Sequence, residues 1–146
     1  MNSEFDDCLR SKKIREFSRG KTLVDKELRT AENDLGDAKK SFEQQGYKWA
    51  TIQSYYSMFH SARALLYAKN YREKSHYCLI ISLRALYVEQ RLLPVTLVES
   101  LLQAKRLREQ ADYYDEWSQA SAESLLKAAE KFLAIARQLT SKTLGK

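Results

Sequence analysis

Glycine and proline are scarce in this chain, which has four glycines and one proline among 146 residues. Few positions are therefore available for the tight turns that join strands, whereas long stretches can continue as helices. The sequence predicts an all-α fold, an up-and-down antiparallel helical bundle with a four-helix core plus extra N-terminal and short helices. We place the extra N-terminal helix in residues 1–20 and the bundle domain in residues 21–142.

Cysteines and long apolar runs are also rare. Cys8 and Cys78 stand seventy residues apart, with no pair of thiols at zinc-ligand spacing, which argues against a disulfide framework and against a metal site. No apolar run approaches the length that spans a bilayer, and acids occupy the start where a signal peptide needs a basic and then an apolar run. We expect a cytoplasmic protein with reduced cysteines, no metal, no cofactor and no membrane contact.

Apolar residues recur at helical spacing through most of the chain. The predicted buried stripes are Val24, Leu28, Ala31, Leu35, Ala38 and Phe42; Ile52, Tyr55, Phe59, Ala62 and Leu66; Leu97, Leu101 and Ala104; and Ala122, Leu125, Ala129, Phe132, Ala136 and Leu139. The third helix, from about Trp49 to Lys69, is apolar on most sides and is expected to be central.

Capping patterns set the predicted helix ends. Ser3 and Thr22 each precede a carboxylate by three residues, which predicts two helix starts, and the first helix is expected to run to about Phe17. Ser75 is predicted to cap a fourth helix that continues to about Leu92. Pro94 suits the first turn of a fifth helix, and a polar connection is expected at residues 70–74.

Standard catalytic signatures are missing: there is no Gly-rich phosphate loop, HExxH or nucleophile elbow. Proton transfer near neutral pH would therefore depend on the two histidines or on a tuned Tyr, Lys or carboxylate. His60 lies on the polar edge of an apolar helix, where a half-buried, hydrogen-bonded histidine is the alternative to a functional one. His76 follows Arg72 and Lys74 at a helix start, where cations favour neutral imidazole, although helix capping explains its position equally well.

A second constellation lies at the end of the fifth helix. Arg108 continues an otherwise apolar stripe and could hold a phosphate, with Asp112 at i+4 orienting it; an internal ion pair is the alternative. Tyr113, Tyr114 and Trp117 could stack on nucleotide bases, or they could plug the end of the helix.

The net charge is +6, a modest excess of cations. Part of it lies in a basic run near the start that contains Glu16 as an opposing charge. This run could contact RNA phosphates, or it could be an ordinary solvated face. Its cations are Arg10, Lys12, Lys13, Arg15, Arg19 and Lys21.

Four segments together resemble the HEPN domain family: SYYSMFHSARALL at residues 54–66, KSH at 74–76, LREQADY at 107–113 and AEKF at 129–132. The resemblance extends from about Val24 to Leu139. It implies an antiparallel four-helix core, usually a homodimer. It also implies a prokaryotic gene beside a minimal nucleotidyltransferase, forming a toxin–antitoxin pair.

The resemblance also implies a relation to metal-independent ribonucleases, in which an Arg followed four to six residues later by His lines a cleft at the dimer interface. Arg108 matches the arginine, but Tyr113 stands five residues on and no histidine follows it. A tyrosine hydroxyl, whose ordinary pKa is about 10, takes up a proton poorly near pH 7. By analogy with silenced members, Tyr113 or Tyr114 is a candidate hydroxyl for modification by the partner.

The leading interpretation is a toxin–antitoxin component that binds nucleotide or RNA and that could cleave RNA. Arg108, Asp112 and Tyr113 are the catalytic candidates. The candidates for nucleotide or RNA binding are Tyr56, His60, Arg63, Arg72, His76 and Tyr114. A second interpretation is a non-catalytic helical module that dimerises and docks a nucleotidyltransferase, and a third makes His76 the active group with Arg72 and Lys74 as phosphate clamps.

Overall fold

A computed structural model describes residues 2–143, which form a helical bundle with a small two-stranded ribbon. The elements in chain order are α1 (Ser3–Arg10), β1 (Ile14–Glu16), α2 (Gly20–Glu43), α3 (Tyr47–Tyr67), β2 (Tyr71–Glu73), α4 (His76–Leu83), a π-helical segment (Arg84–Val88), α5 (Val95–Tyr113) and α6 (Gln119–Thr143). Over this part of the chain, no helix has the length and apolarity needed to cross a bilayer.

Helix α3 is the centre of the bundle and packs against α2, α5 and α6. Only three residues join α2 to α3, and such short connections produce antiparallel neighbours. The predicted stripes are buried almost throughout; Phe42 and Phe59 are the partly exposed exceptions. The all-α bundle with a central third helix is therefore confirmed.

Helix α4 is shorter than the sequence predicts. Ser75 caps it as expected, accepting the Cys78 backbone N–H at 3.1 Å. The helix does not continue regularly to Leu92, because a π-helical segment begins at residue 84. Within that segment the buried Tyr87 hydroxyl donates to the Leu65 carbonyl at 2.6 Å, so the wider turn accompanies a fixed contact with α3. Pro94 directly precedes α5 rather than lying in its first turn.

The predicted N-terminal helix to Phe17 is wrong, because α1 ends at Arg10. Residues 14–16 instead pair antiparallel with residues 71–73, where the sequence had indicated only a polar connection. Ile14 is buried by this pairing, and a β-branched side chain suits a strand. The domain boundary after residue 20 stays a prediction.

The two predicted caps at the chain start are also wrong. The α1 cap is Asn2, whose Oδ1 accepts the Phe5 N–H at 2.9 Å. Helix α2 begins at Gly20, ahead of Thr22, whose hydroxyl donates to the Arg19 carbonyl at 2.6 Å.

The expectation that the cysteines stay unpaired is wrong as well. Cys8 and Cys78 form a disulfide between α1 and α4, with their Cα atoms 5.9 Å apart. Both residues are buried where α1 packs on α4. Sequence separation was a poor guide because the intervening helical hairpin returns the chain to its starting point.

Candidate functional site

Arg108 lies on the inner side of α5 with a side chain that is 15% exposed. Its guanidinium carbon is 5.1 Å from the ring centroid of Tyr55, 5.6 Å from that of Tyr56 and 5.7 Å from that of Tyr113. These are cation–π distances, and α3 supplies two of the three rings. The arginine is thus held in an aromatic cradle built between α3 and the end of α5.

The polar contacts of Arg108 leave part of its hydrogen-bonding capacity unused. Nη1 donates to the Tyr113 hydroxyl at 3.3 Å and lies 3.6 Å from Oδ2 of Asp112. Asp112 is 41% exposed, so the pair is not the fully internal one that the sequence left open. The Nε atom of Arg108 is buried without a hydrogen-bond partner among residues 2–143. An anion could accept from this guanidinium without first breaking a buried ion pair.

His76 begins α4 and packs beside Tyr55, one of the three tyrosines around Arg108. Its ring is 6.2 Å from that of Tyr55, with an angle of 28° between their planes. Burial, together with the positive charges of Lys105 and Arg108, lowers the pKa of His76 to about 4, so the imidazole is neutral at pH 7. Its Nε2 atom is also buried without a partner in the described part of the chain.

We call this group the Arg108 cluster; it consists of Tyr55, Tyr56, His76, Arg108, Asp112 and Tyr113. Arg108 and His76 both contact the Tyr55 ring and each has an unpaired buried nitrogen, while Tyr56 and Tyr113 are exposed. Chemically, the cluster offers a fixed cation for a phosphate and aromatic faces for a base. A neutral histidine with a pKa of about 4 is a weak proton acceptor until a bound anion raises that pKa.

His60 and Arg63 belong to a different set of contacts, the Glu27–Glu73 network. His60 Nδ1 lies 3.0 Å from Oε2 of Glu27, while Arg63 Nη2 donates to Oε2 of Glu73 at 2.7 Å and Nη1 donates to Oε1 of Glu27 at 3.4 Å. Burial alone would raise the pKa of Glu27, but the hydrogen bond from His60 and the charges of His60 and Arg63 outweigh it and lower that pKa.

The Glu27–Glu73 network holds His60 half-buried and hydrogen-bonded to Glu27, as one of the two interpretations of the sequence expects, and His60 Nε2 also lies 4.0 Å from Oδ2 of Asp34. It adjoins the Arg108 cluster through Phe59, whose ring lies 4.6 Å from the Arg63 guanidinium and 6.1 Å from the Tyr55 ring. The structure therefore places His60 and Arg63 next to the cluster, committed to carboxylates. Their role in nucleotide or RNA binding stays a prediction.

The remaining candidates lie at the surface. Arg72 is exposed on β2, with its guanidinium carbon 5.4 Å from the Phe17 ring. Tyr113, Tyr114 and Trp117 are 66%, 70% and 47% exposed, so they do not plug the helix end. Lys48 lies over the Trp117 ring at 5.7 Å. The aromatic run is thus available to a ligand or a partner.

Sequence reasoning missed the carboxylates that neutralise Arg63 and the place of Tyr55 and Lys105 beside His76. Glu27 carried a usable signal, since it stands three residues after Val24 and four before Ala31 on a buried stripe. The same reasoning that singled out Arg108 would have found it. Glu73 gave no such signal because its burial depends on the unpredicted ribbon.

Comparison with known proteins provides independent information. A family model described as the HEPN domain matches residues 24–139. The chain is 33% identical over 122 residues to "Putative toxin MJ0605" of Methanocaldococcus jannaschii, covering 77% of this chain and 91% of that protein. It is 35% identical over 117 residues to a UPF0332 protein of Archaeoglobus fulgidus, covering 79% and 93%. It is also 31% identical over 117 residues to "Putative toxin MJ0142" of M. jannaschii, covering 79% and 80%.

Proposed function

Since the chain belongs to the HEPN domain family, we propose that it is a toxin-like member of a toxin–antitoxin module that binds RNA or nucleotide at the Arg108 cluster. The observation that carries the proposal is the mostly buried Arg108 guanidinium, held over three tyrosine rings with its Nε unpaired. A cation that is already desolvated and aligned costs little further ordering when a phosphate arrives. The names of two relatives as toxins support the same module.

The proposed module includes a homodimer and a minimal nucleotidyltransferase encoded nearby. In a dimer, the exposed faces of Tyr56 and Tyr113 would be partly covered and the cluster would line a cleft between two copies. Aromatic side chains are enriched in such interfaces. We propose this assembly from the family membership together with the exposed tyrosines.

Binding is tested with fluorescently labelled single-stranded RNA and with labelled nucleotides, titrated with the wild type, Arg108→Gln and Arg106→Gln. Arg106 is an exposed arginine on the same helix and serves as the matched control. Loss of a charge-assisted contact predicts at least roughly tenfold weaker binding for Arg108→Gln. Binding of Arg108→Gln at wild-type strength to both ligands would overturn the site.

RNA cleavage is the enzymatic part of the proposal. In it, the 2'-hydroxyl oxygen attacks the scissile phosphorus while Arg108 stabilises the charge on the phosphate oxygens. His76, whose pKa the bound phosphate raises, accepts the 2'-hydroxyl proton and delivers it to the 5'-oxygen as the P–O5' bond breaks, leaving a 2',3'-cyclic phosphate. Incubation with RNA and excess chelator is expected to produce fragments for the wild type, with loss in Arg108→Gln and His76→Gln. RNA binding without cleavage would reject the ribonuclease step and leave a binding protein. Cleavage activity retained in His76→Gln would show that His76 is not the proton acceptor.

A non-catalytic docking module for a nucleotidyltransferase is the second candidate function. The exposed aromatic run at residues 113–117 favours it, because exposed aromatic patches commonly mark protein interfaces. In this case Tyr113 or Tyr114 is the acceptor: its hydroxyl attacks the α-phosphorus of a nucleoside triphosphate, and pyrophosphate leaves. Mass spectrometry after co-expression with the neighbouring nucleotidyltransferase should find an added nucleotide mass on one of them. Unmodified tyrosines together with no co-purification would contradict this candidate.

A further inference from the structure

The two-stranded ribbon carries a concentration of cations on one face. Arg15 of β1 and Arg72 of β2 are direct cross-strand partners, and both are exposed. The same register places Lys13 opposite Lys74, whose backbone N–H donates to the Lys13 carbonyl at 2.8 Å. Residues two apart on a strand share a face, so the four cations form a two-by-two array.

This array is an electrostatic conflict within the isolated protein. Like charges directly opposite each other destabilise a strand pair, and side chains there are only about 5 Å apart at Cβ. Over residues 2–143, none of the four cations forms an ion pair with a carboxylate, although exposed carboxylates are plentiful elsewhere in the chain. Glu73, which faces inward between them, is already bonded to Arg63. An external polyanion would relieve the repulsion.

An aromatic ring extends the same face. Phe17 follows the register two residues after Arg15, and its N–H donates to the Asn70 carbonyl at 2.7 Å. Arg72 lies over the Phe17 ring. A cavity of about 550 Å³ is lined by Arg15, Glu16, Phe17, Arg72, Glu73 and Lys74. Cations that can bind backbone phosphates, beside a partly exposed ring that can contact a base, suit a nucleic-acid strand. A lipid surface would instead need protruding apolar groups.

We propose that this ribbon face is a second RNA-binding surface, which guides a single strand toward the Arg108 cluster. Lys74 on the ribbon is two residues before His76 in the cluster, a separation of at most about 7 Å between their Cα atoms. The inference rests on the proposed function, because the strand is guided to the Arg108 cluster. It goes further by naming the ligand as a polymer, since only a polymer reaches both surfaces. It favours an RNA strand over a free nucleotide.

The test compares Arg15→Gln/Arg72→Gln with Arg29→Gln/Arg91→Gln, a control that removes two exposed arginines elsewhere. Binding of a 20-nucleotide single-stranded RNA and of a mononucleotide is titrated across salt concentrations. Removing two phosphate contacts lowers the slope of log affinity against log salt by about 1.4, and lowers affinity roughly ten- to thirtyfold at 0.1 M salt. Mononucleotide binding should be unchanged.

A third variant, Glu16→Gln, removes the exposed carboxylate that lines the cavity and should tighten RNA binding roughly twofold or more. A gain in affinity cannot come from unfolding. Arg15→Gln/Arg72→Gln should have a Tm equal to or higher than that of the wild type, because it removes the repulsion between the two arginines. An RNA slope for Arg15→Gln/Arg72→Gln equal to that of the control would overturn the inference. So would binding of the ribbon to anionic vesicles but not to RNA. A different result would contradict the proposed function itself: unaltered binding of RNA and nucleotide by Arg108→Gln.

Discussion

Arg63 holds the only two carboxylates that are buried among the described residues, Glu27 and Glu73. Its removal would leave Glu73 without its cation, and Glu27 with only the His60 contact, in a poorly solvated place. Because Arg63 itself is 27% exposed, we expect Arg63→Ala to lower the free energy of unfolding by about 2–3 kcal/mol, below the range for a fully buried pair. Urea denaturation measures the change.

The control for Arg63 is Arg29→Ala, which removes an exposed arginine and should change stability by less than about 0.5 kcal/mol. A second comparison separates charge from packing. The double variant Arg63→Met/Glu73→Gln should lose less stability than the sum of the two single variants. Each single change leaves the other charged group without its partner, and the double change does not. Equal losses in Arg63→Ala and the control would show that the network contributes nothing to folding.

His76 gives the fold a dependence on pH. Its pKa is lowered from 6.5 to about 4, so the native state binds fewer protons than the unfolded state between these values. Stability is therefore greatest above pH 6.5 and is lost as pH falls toward 4. The full shift corresponds to about 3 kcal/mol, and partial solvent access reduces the expected loss to about 1–2 kcal/mol.

Urea denaturation of the wild type and His76→Gln at pH 7, 5.5 and 4.5 isolates this contribution. Carboxylates such as Glu27, whose pKa is lowered, titrate in both proteins and cancel in the difference. The variant should lose less stability on acidification than the wild type. Parallel pH curves for the two proteins would show that the His76 ring is not desolvated in solution.

For single residues, the sequence identifies charged side chains that interrupt an apolar pattern, but it does not identify the side chains that pack around them. Arg108 was predictable because it interrupts a buried stripe, and its pairing with Asp112 follows from helical spacing. That Tyr55 and His76 would meet it was not predictable, since this depends on how α3, α4 and α5 pack. Unpaired nitrogens are properties of the packed site alone.

Glycine positions in α2 test the packing of whole elements. A Cβ at Gly20 would overlap the Tyr67 carbonyl oxygen and lie 3.2 Å from the Asn70 Cα, and these backbone atoms cannot move aside cheaply. Gly20→Ala should therefore destabilise the fold by about 1–3 kcal/mol. At Gly36, in the same helix, a Cβ meets nothing within 4 Å. Gly36→Ala should stabilise it by about 0.5–1 kcal/mol through helix propensity.

Thermal unfolding of the two alanine variants decides the point, because the chemical change is identical and only the location differs. A drop in Tm for Gly20→Ala with a rise for Gly36→Ala is expected. If both variants shift in the same direction, the close approach of α2 to the end of α3 is not maintained in solution.

Among the elements, the long amphipathic helices were predictable and the short pieces were not. The Val24 to Ala38 stripe needs only local periodicity. Strands β1 and β2 are three residues each and depend on each other across more than fifty residues, so neither has a clear local signal. The π-helical turn likewise accompanies a tertiary contact, the hydrogen bond from Tyr87 to the Leu65 carbonyl, which local sequence does not reveal.

For the molecule as a whole, the Cys8–Cys78 bond joins the segment that precedes the family-matched region to the helix that carries His76. Separation in sequence misled the prediction because the closing of long loops depends on topology, which composition does not contain. A bridge across 70 residues removes much conformational freedom from the unfolded chain. The bond therefore stabilises the entire fold, including the packing of α1 on α4, which both contact the ribbon of the proposed RNA surface.

Cys8→Ser/Cys78→Ser should lower the free energy of unfolding by about 2–4 kcal/mol relative to the oxidised wild type, the range typical of a disulfide. Urea denaturation with and without reductant supplies the control within one experiment. Reductant should bring the wild type down to the level of the double variant, because both then lack the constraint on the unfolded chain, and should leave the variant unchanged. Two free thiols in the native, unreduced wild type, or a wild-type curve insensitive to reductant, would contradict the bond. A variant that stays folded while losing RNA affinity would further show that the α1–α4 junction positions the binding surface as well as stabilising it.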